Sequence, residues 1–242
     1  GRAARYSGTG RLSETGANPM RCKIKKQMKL IIASNNDGKI REYREILEPF
    51  GFQVHSQGEE GIHPDVEETG TTFEENAILK ARAVYETARC CVISDDSGLE
   101  VEALNGEPGL YSARYKGLKT EHERRMAVLE GLRGSENRNA RFVTCICFID
   151  IAGNEHLLTG IWKGVIAEKE MGSNGFGDEP IFISEDGNGQ TTASMPIEFK
   201  ETFSHRAKAT KALIAYLRAG SLSYKKSVPS EEGTQGYTIG SG

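Results

Sequence analysis

KLIIASNNDGK, residues 29–39, starts as an unbroken apolar run, passes through small polar residues and ends in a helical pattern. The first five residues read as a buried strand, and the residues from 39 to 49 as a helix closed by Pro49. A strand that feeds straight into a helix begins an α/β unit, and the rest of the chain keeps switching between the two periods. Residues 52–55 predict a short second strand, and a loop rich in Gly and Glu leads to a strong helix from 73 to about 88. Residues 91–94 read as a third strand and 120–133 as an amphipathic helix. Two long strands follow, 140–150 and 155–168, antiparallel across a Gly153-Asn154 turn. A short strand at 181–183 and a last helix at 204–219 complete a mixed α/β pattern with no internal repeat.

Composition bounds the rest. The chain has 242 residues, 37% of them apolar, which fits one domain of about 190 residues plus tails. Residues 28–220 are read as that single domain, with Met28 a candidate natural start. Residues 1–27 contain Gly, Ser, Arg and Lys and one acid, Glu14, and are expected to be a disordered extension, with an organelle transit peptide as the alternative. Residues 221–242 are Ser/Gly-rich and are read as a flexible tail. A formal charge of −3 does not mark a nucleic-acid or membrane binder, and no apolar run approaches the roughly 20 residues needed to cross a bilayer. Of five cysteines, all but Cys22 sit in apolar runs, which predicts buried reduced thiols and a cytoplasmic setting. Cys145 and Cys147 share a strand face, but no second ligand pair follows at zinc spacing.

Four clusters carry chemistry. In the first, Ser34, Asn35, Asn36, Asp37, Gly38 and Lys39 lie at a strand-to-helix turn, where open backbone N–H groups, a helix N-terminus and a lysine suit phosphate; an ordinary helix cap would look the same. In the second, strand 91–94 ends in Asp95, Asp96, Ser97 and Gly98. Paired carboxylates at the end of a buried strand need a cation or hydrogen bonds, and magnesium suits such a place, although a plain turn is the alternative. If the strand persists the two acids point to opposite sides, so one is expected to face a cleft. Glu67 and Glu68 add carboxylates from a loop, or simply solvate it. Thr72 and Glu75 form a Ser/Thr-x-x-Glu capping box, and Asn76 and Lys80 share a helix face with Phe73 and Val84. In the third, Phe176 lies in the glycine-rich loop GSNGFG, free to pack inward or to stack on a base. The fourth is Lys200 with Ser204, His205 and Arg206, where Ser204 is an N-cap candidate and the basic pair suits an anion or a base.

Taken in order, SNNDGK (34–39), EETGTTFEENAILKA (67–81), SDDSGLEV (94–101), GEPGLYSARY (106–115), GSNGFG (172–177) and SHRAKA (204–209) resemble the inosine triphosphate pyrophosphatase family, the XTP/dITP diphosphatases. The resemblance spans roughly residues 29–219. It implies an elongated mixed central sheet flanked by helices, two lobes around an active-site cleft, a homodimer, and Mg2+-dependent hydrolysis of ITP, dITP and XTP to the monophosphate and pyrophosphate. It implies that residues 34–39 and Lys80 line the triphosphate, that Asp96 is catalytic, and that Glu67 or Glu68 helps Asp96 hold magnesium. Ser97 would touch substrate. Phe176, with Gly177, Asp178 and Glu179, would meet the base, and Lys200, His205 and Arg206 would complete the pocket.

One block departs from the pattern. After Gly-Phe-Gly the family continues with an aromatic and then Asp-Pro, whereas this chain has Asp178-Glu179-Pro180. That substitution puts base specificity in question and leaves three other readings: a pyrophosphatase of altered base specificity, a nucleotide-binding protein without catalysis, and nucleic-acid binding through the basic residues 1–27. Retention of Lys39, Lys80, Asp95 and Asp96 argues against the second, and the lack of interleaved aromatics against the third.

Overall fold

The computed structural model describes residues 28–226, with side chains to 219. Both expected extensions, 1–27 and all but the start of 221–242, lie outside the described residues. Six strands form one mixed sheet in the order β2-β1-β3-β4-β5-β6. They are β1 (Met28–Ile32), β2 (Phe52–Ser56), β3 (Cys91–Val101), β4 (Asn139–Ile149), β5 (Glu155–Ile166) and β6 (Phe182–Ser184). β1 pairs in parallel with β2 and β3, and β3, β4, β5 and β6 run antiparallel. The predicted hairpin at Gly153-Asn154 joins β4 to β5.

Five α-helices pack on this sheet: α1 (Asp37–Leu47), α2 (Phe73–Ala88), α3 (Glu121–Gly131), α4 (Ile197–Phe203) and α5 (His205–Lys226). The last runs on past its predicted end into the stretch read as tail. Helix α2 starts where predicted because that end is chemically marked. Thr72 Oγ1 accepts the Glu75 N–H at 3.1 Å, and Glu75 accepts from both the N–H and the hydroxyl of Thr71, so Glu75 is used by the helix end. Two pieces escaped periodicity, the 3-10 segment Gly109–Gly117 and the seven-residue α4. Neither is long enough to show an amphipathic repeat.

The core divides along β3. Cys91 and Ile93 belong to a cluster with Leu30, Ile40, Tyr43, Leu213 and their neighbours, and Val92 to one with Ala77, Ala81 and Val84. Leu99 and Val101 join a separate cluster with Val128, Phe142, Trp162 and Phe182. The polar stretch 94–98 is therefore the waist between two apolar lobes. Contrary to the expected strand 91–94, β3 does not end at Ser94 but continues to Val101, because β4 pairs it throughout, Asp96 facing Cys145 and Ser97 facing Thr144. The strand that ends is β1, whose register with β3 stops at Ile32 opposite Ile93. Beyond it the edge of β3 is bare until the 3-10 segment covers it, where Ser112 Oγ accepts the Leu99 N–H at 3.0 Å.

One glycine sets how closely α5 can approach. A Cβ on Gly160 of β5 would lie 2.0 Å from the His205 carbonyl oxygen and 2.8 Å from the Ala209 N. Both obstacles are backbone, so the helix would have to move. Gly160→Ala is expected to lower stability by about 1–3 kcal/mol and to displace the helix start that carries His205 and Arg206; a urea midpoint shift with a parallel loss of activity measures it, and an unchanged midpoint would refute the contact.

Candidate active site

The gap beyond β1 opens into a cavity of roughly 500 Å3 between the lobes, within the usual size of a small-molecule site. Both Asp95 and Asp96 line it, which corrects the expectation that one of them would. They do point to opposite sides of the sheet, but with no neighbouring strand at that edge both sides reach the same cavity.

Each carboxylate meets the helix on its own side. Asp95 faces α1 and α5: its Oδ2 lies 3.1 Å from Lys39 Nζ and 3.3 Å from Arg206 Nε, and Thr144 Oγ1 donates to it at 3.3 Å. Burial pushes the Asp95 carboxyl up, but Lys39, Arg206 and Lys80 outweigh it and hold the group well below the usual carboxylate range. Asp96 faces α2, where Asn76 Nδ2 donates to it at 3.0 Å and Lys80 Nζ lies at 3.3 Å. Here burial wins over Lys80 and Asn76, Glu68 adds to it, and the pKa is raised. Two adjacent acids are thus driven apart: Asp95 is locked as an anion inside an ion-pair network, and Asp96 keeps an affinity for a proton.

The lysines divide the same way. Burial lowers the Lys39 pKa, only partly offset by Asp95. Lys80 is also desolvated, but Asp96, Asp95 and Glu68 together raise it. Lys80 donates to Glu68 at 2.9 Å as well as to Asp96, and Arg114 Nη1 reaches Glu68 at 3.3 Å. Of the loop pair, Glu68 lines the cavity and Glu67 is exposed outside it.

The first polar turn forms a helix cap and also lines the cavity. Asn36 caps α1 by accepting the Lys39 N–H at 3.0 Å, Ser34 Oγ accepts the Asn36 N–H, and Asn35 accepts from Gln57. Ser34, Asn35, Asn36 and Lys39 all line the cavity, whereas Asp37 and Gly38 do not. Gly38 has a different use: a Cβ there would lie 2.9 Å from the Phe176 ring, so its bareness lets that ring settle on α1. Phe176 is also capped by the Arg206 guanidinium, 5.9 Å from its centroid.

Phe176, Gly177, Asp178 and Glu179 form the opposite wall. Lys200 sits behind it, buried, donating to Glu179 Oε2 at 2.8 Å and to the Asn174 carbonyl at 3.0 Å, and does not itself line the cavity. Gly175 is bare for this pair, since a Cβ there would overlap the Glu179 carboxylate. Ser204 caps α5 as predicted, accepting the Ala207 N–H at 3.1 Å. His205 lines the cavity with its ring stacked on Phe142, centroids 4.9 Å apart, and its buried Nδ1 has no hydrogen-bond partner. Burial holds its pKa well below normal, so the ring is neutral. Arg206 donates through Nη2 to Ser97 Oγ at 3.4 Å and pairs with Glu42.

Several members escaped sequence reading: Glu42, Gln57, Arg114, Thr144 and Phe142. Glu42 alone had a local signal, since it lies three residues after Lys39 on α1. Asn76 was placed on the right face without a role; its amide bridges the Gly70 N–H, at 2.8 Å, to Asp96.

No group of three or more His, Cys, Asp or Glu side chains among the described residues is arranged as a metal centre. Glu68 and Asp96 nevertheless converge on one cation, the Lys80 ammonium. Such a pair fits a magnesium ion that completes its shell with water and phosphate oxygens, the usual manner of that ion.

Residues 30–216 match the Ham1 family model. The chain is 46% identical over 193 residues to the dITP/XTP pyrophosphatase of Bacillus subtilis, covering 78% of this chain and 96% of that protein. It is 44% identical over 192 residues to the Flavobacterium psychrophilum protein of that name, covering 79% and 100%. The solved Staphylococcus aureus Ham1 protein superposes with a TM-score of 0.71 at 41% identity, covering 79% of this chain and 99% of that one. The family match takes in every strand but the first residues of β1, and with it the whole cavity: the chain belongs to the Ham1 family.

Proposed function

We propose that this chain hydrolyses non-canonical purine nucleoside triphosphates, dITP, ITP and XTP, to the monophosphate and pyrophosphate. The enzyme is a nucleoside triphosphate pyrophosphatase, and the observation that carries the mechanism is geometric: in one lysine-lined cavity Asp95 is closed into ion pairs with Lys39 and Arg206, while the adjacent Asp96 faces Lys80 and Asn76. A water attacks a phosphorus of the α/β anhydride, Asp96 takes its proton, and pyrophosphate leaves. Lys39 and Lys80 balance the charge of the polyphosphate, with Ser34, Asn35 and Asn36 beside it. Asp95 stays ionised and orients Lys39 and Arg206. Phe176 stacks on the base, and His205 and Arg206 offer donors to its 6-oxo group; adenine, with an amino group there, would leave them unpaired.

Glu68 and Asp96 would hold the magnesium ion, which supplies charge neutralisation on the phosphate oxygens. Glu67 and Asp37 point elsewhere and contribute no contact to the cavity. Lys200 acts through Glu179, keeping the Phe176 loop in place.

The setting we propose is cytoplasmic. The four cysteines among the described residues are unpaired, and no described helix is long and apolar enough to cross a membrane. The proposed homodimer has a candidate surface in Leu157, Ile161 and Val165, which alternate along β5 and are all exposed. We take residues 28–220 as one catalytic domain.

Pyrophosphate release from ITP, dITP, XTP, GTP, ATP and dTTP tests the reading. Turnover of ITP, dITP and XTP well above GTP, ATP and dTTP, abolished by EDTA and restored by magnesium, is the expected result. Equal use of ATP would overturn the base selectivity, and full activity in EDTA the metal requirement.

A further inference from the structure

Six carboxylates line the cavity, and five are engaged by other side chains. Glu68 and Asp96 share Lys80, Asp95 binds Lys39 and Arg206, Glu179 binds Lys200, and Glu121 lies 3.6 Å from Arg125. The sixth is Asp178, whose carboxylate makes no hydrogen bond or ion pair with any described residue. Burial pushes it up to about 6 against the pull of Arg125 and Arg124.

Asp178 is also held where it stands. On one side Arg125 Nη1 donates to the Gly177 carbonyl at 2.7 Å, and Arg125 is itself bound by Glu170. On the other, Glu179 is fixed by Lys200, and the Ile181 N–H returns to the Asp178 carbonyl at 3.1 Å. Asp178 is half-buried on the cavity wall, so it offers a positioned, unengaged acceptor to a ligand N–H. Two residues away, Phe176 presents the aromatic face of the same wall.

We propose that Asp178 accepts the N1–H of a 6-oxopurine stacked on Phe176 and selects against a 2-oxo substituent beside it, making it a specificity-determining residue that favours hypoxanthine over xanthine nucleotides. The inference rests on the cavity being a purine triphosphate site. Hypoxanthine offers N1–H flanked by a C2–H, which the carboxylate accepts without conflict. Xanthine offers the same N1–H with a carbonyl oxygen at C2, so oxygen lone pairs face each other. Adenine offers a bare N1 lone pair and no donor at that position. A 2-amino group would be a further donor, so rejection of guanine does not come from Asp178.

The test is the ratio of kcat/KM for ITP to that for XTP, in the full chain and in Asp178→Asn. Asparagine keeps the size and exchanges one acceptor for an amide N–H that can donate to a 2-oxo group, so the ratio is expected to fall about tenfold, or some 1.4 kcal/mol of discrimination. Both substrates are read on the same protein, so a loss of folded enzyme cancels in the ratio. A ratio within twofold of the unmodified chain overturns the role of Asp178. If the unmodified chain turns over neither substrate, the purine-triphosphate reading itself fails.

Discussion

Replacing Asp96 by asparagine lowers kcat for dITP by about 10²–10⁴-fold, the range for removing a positioned general base, while KM changes little. The size of the loss follows from the pair it belongs to. Asp95 is surrounded by Lys39, Arg206 and Thr144 and is held ionised, so it has no affinity with which to draw a proton from water. Asp96 has the raised pKa and faces the cavity beside Lys80. An asparagine at 96 keeps the size and can still accept from Asn76 or Lys80, so nucleotide binding should survive at saturating magnesium, while the magnesium concentration needed for half-maximal activity rises because Glu68 is left as the one carboxylate for the ion. Because the missing group acts in the transition state, kcat and kcat/KM fall together. Asp95→Asn should show the other signature, a lowered melting temperature, because it leaves Lys39 and Arg206 without their shared anion. Steady-state kinetics with a thermal melt separates the two, and an Asp96→Asn enzyme within twofold of the parent kcat would remove Asp96 from the chemistry.

How much of this was legible in the sequence depends on the range of the interaction. Helix α2 was read from 73 to about 88, and its start was sharp because Thr72 and Glu75 carry cap chemistry beside it. The long hairpin was read because its turn, the apolar run of β4 and the alternation of β5 are all local. β3 was cut short because Asp-Asp-Ser-Gly has turn composition, and what keeps it extended is pairing with residues some 50 positions later. The site shows the same division. Lys80, Asp95 and Asp96 stood out as charges in apolar company and Lys39 as the cation of a polar strand-to-helix turn, whereas Glu42 meets Arg206 across 164 positions and Gln57 meets Asn35 across 22. Glu67 and Glu68 could not be told apart by type; the structure turns Glu68 toward Lys80. The resemblance joined clusters that periodicity left separate, and the departure at 178–179 left one unpaired carboxylate, Asp178, in the cavity wall formed by Phe176–Glu179.

Arg206→Met should cost about 3–5 kcal/mol of stability, the range for breaking a buried ion pair from one side. Arg206 is 2% exposed and joins α5 to both Glu42 on α1 and Asp95 on β3. Its own desolvation works against its charge, but Glu42 and Asp95 more than compensate and its pKa is raised. Methionine fills much of the same space beside Phe176 and Tyr43 without the charge, so the loss measures stranded carboxylates more than an empty volume. Adding Glu42→Gln to Arg206→Met should therefore recover part of the stability, which a pure packing defect would not allow. The pH dependence has a definite sign. Asp95 has a folded pKa below its unfolded value, so its contribution is present above the unfolded pKa and disappears as pH falls through the folded one. Without Arg206 the folded pKa moves up toward the unfolded value; the contribution shrinks, and it is lost at a higher pH than in the parent. Urea unfolding of parent, single and double variants across the acid range measures all three effects. A single variant within 1 kcal/mol of the parent, or a double variant no more stable than the single, would mean that the Glu42–Arg206–Asp95 chain is not what ties the two helices to the strand.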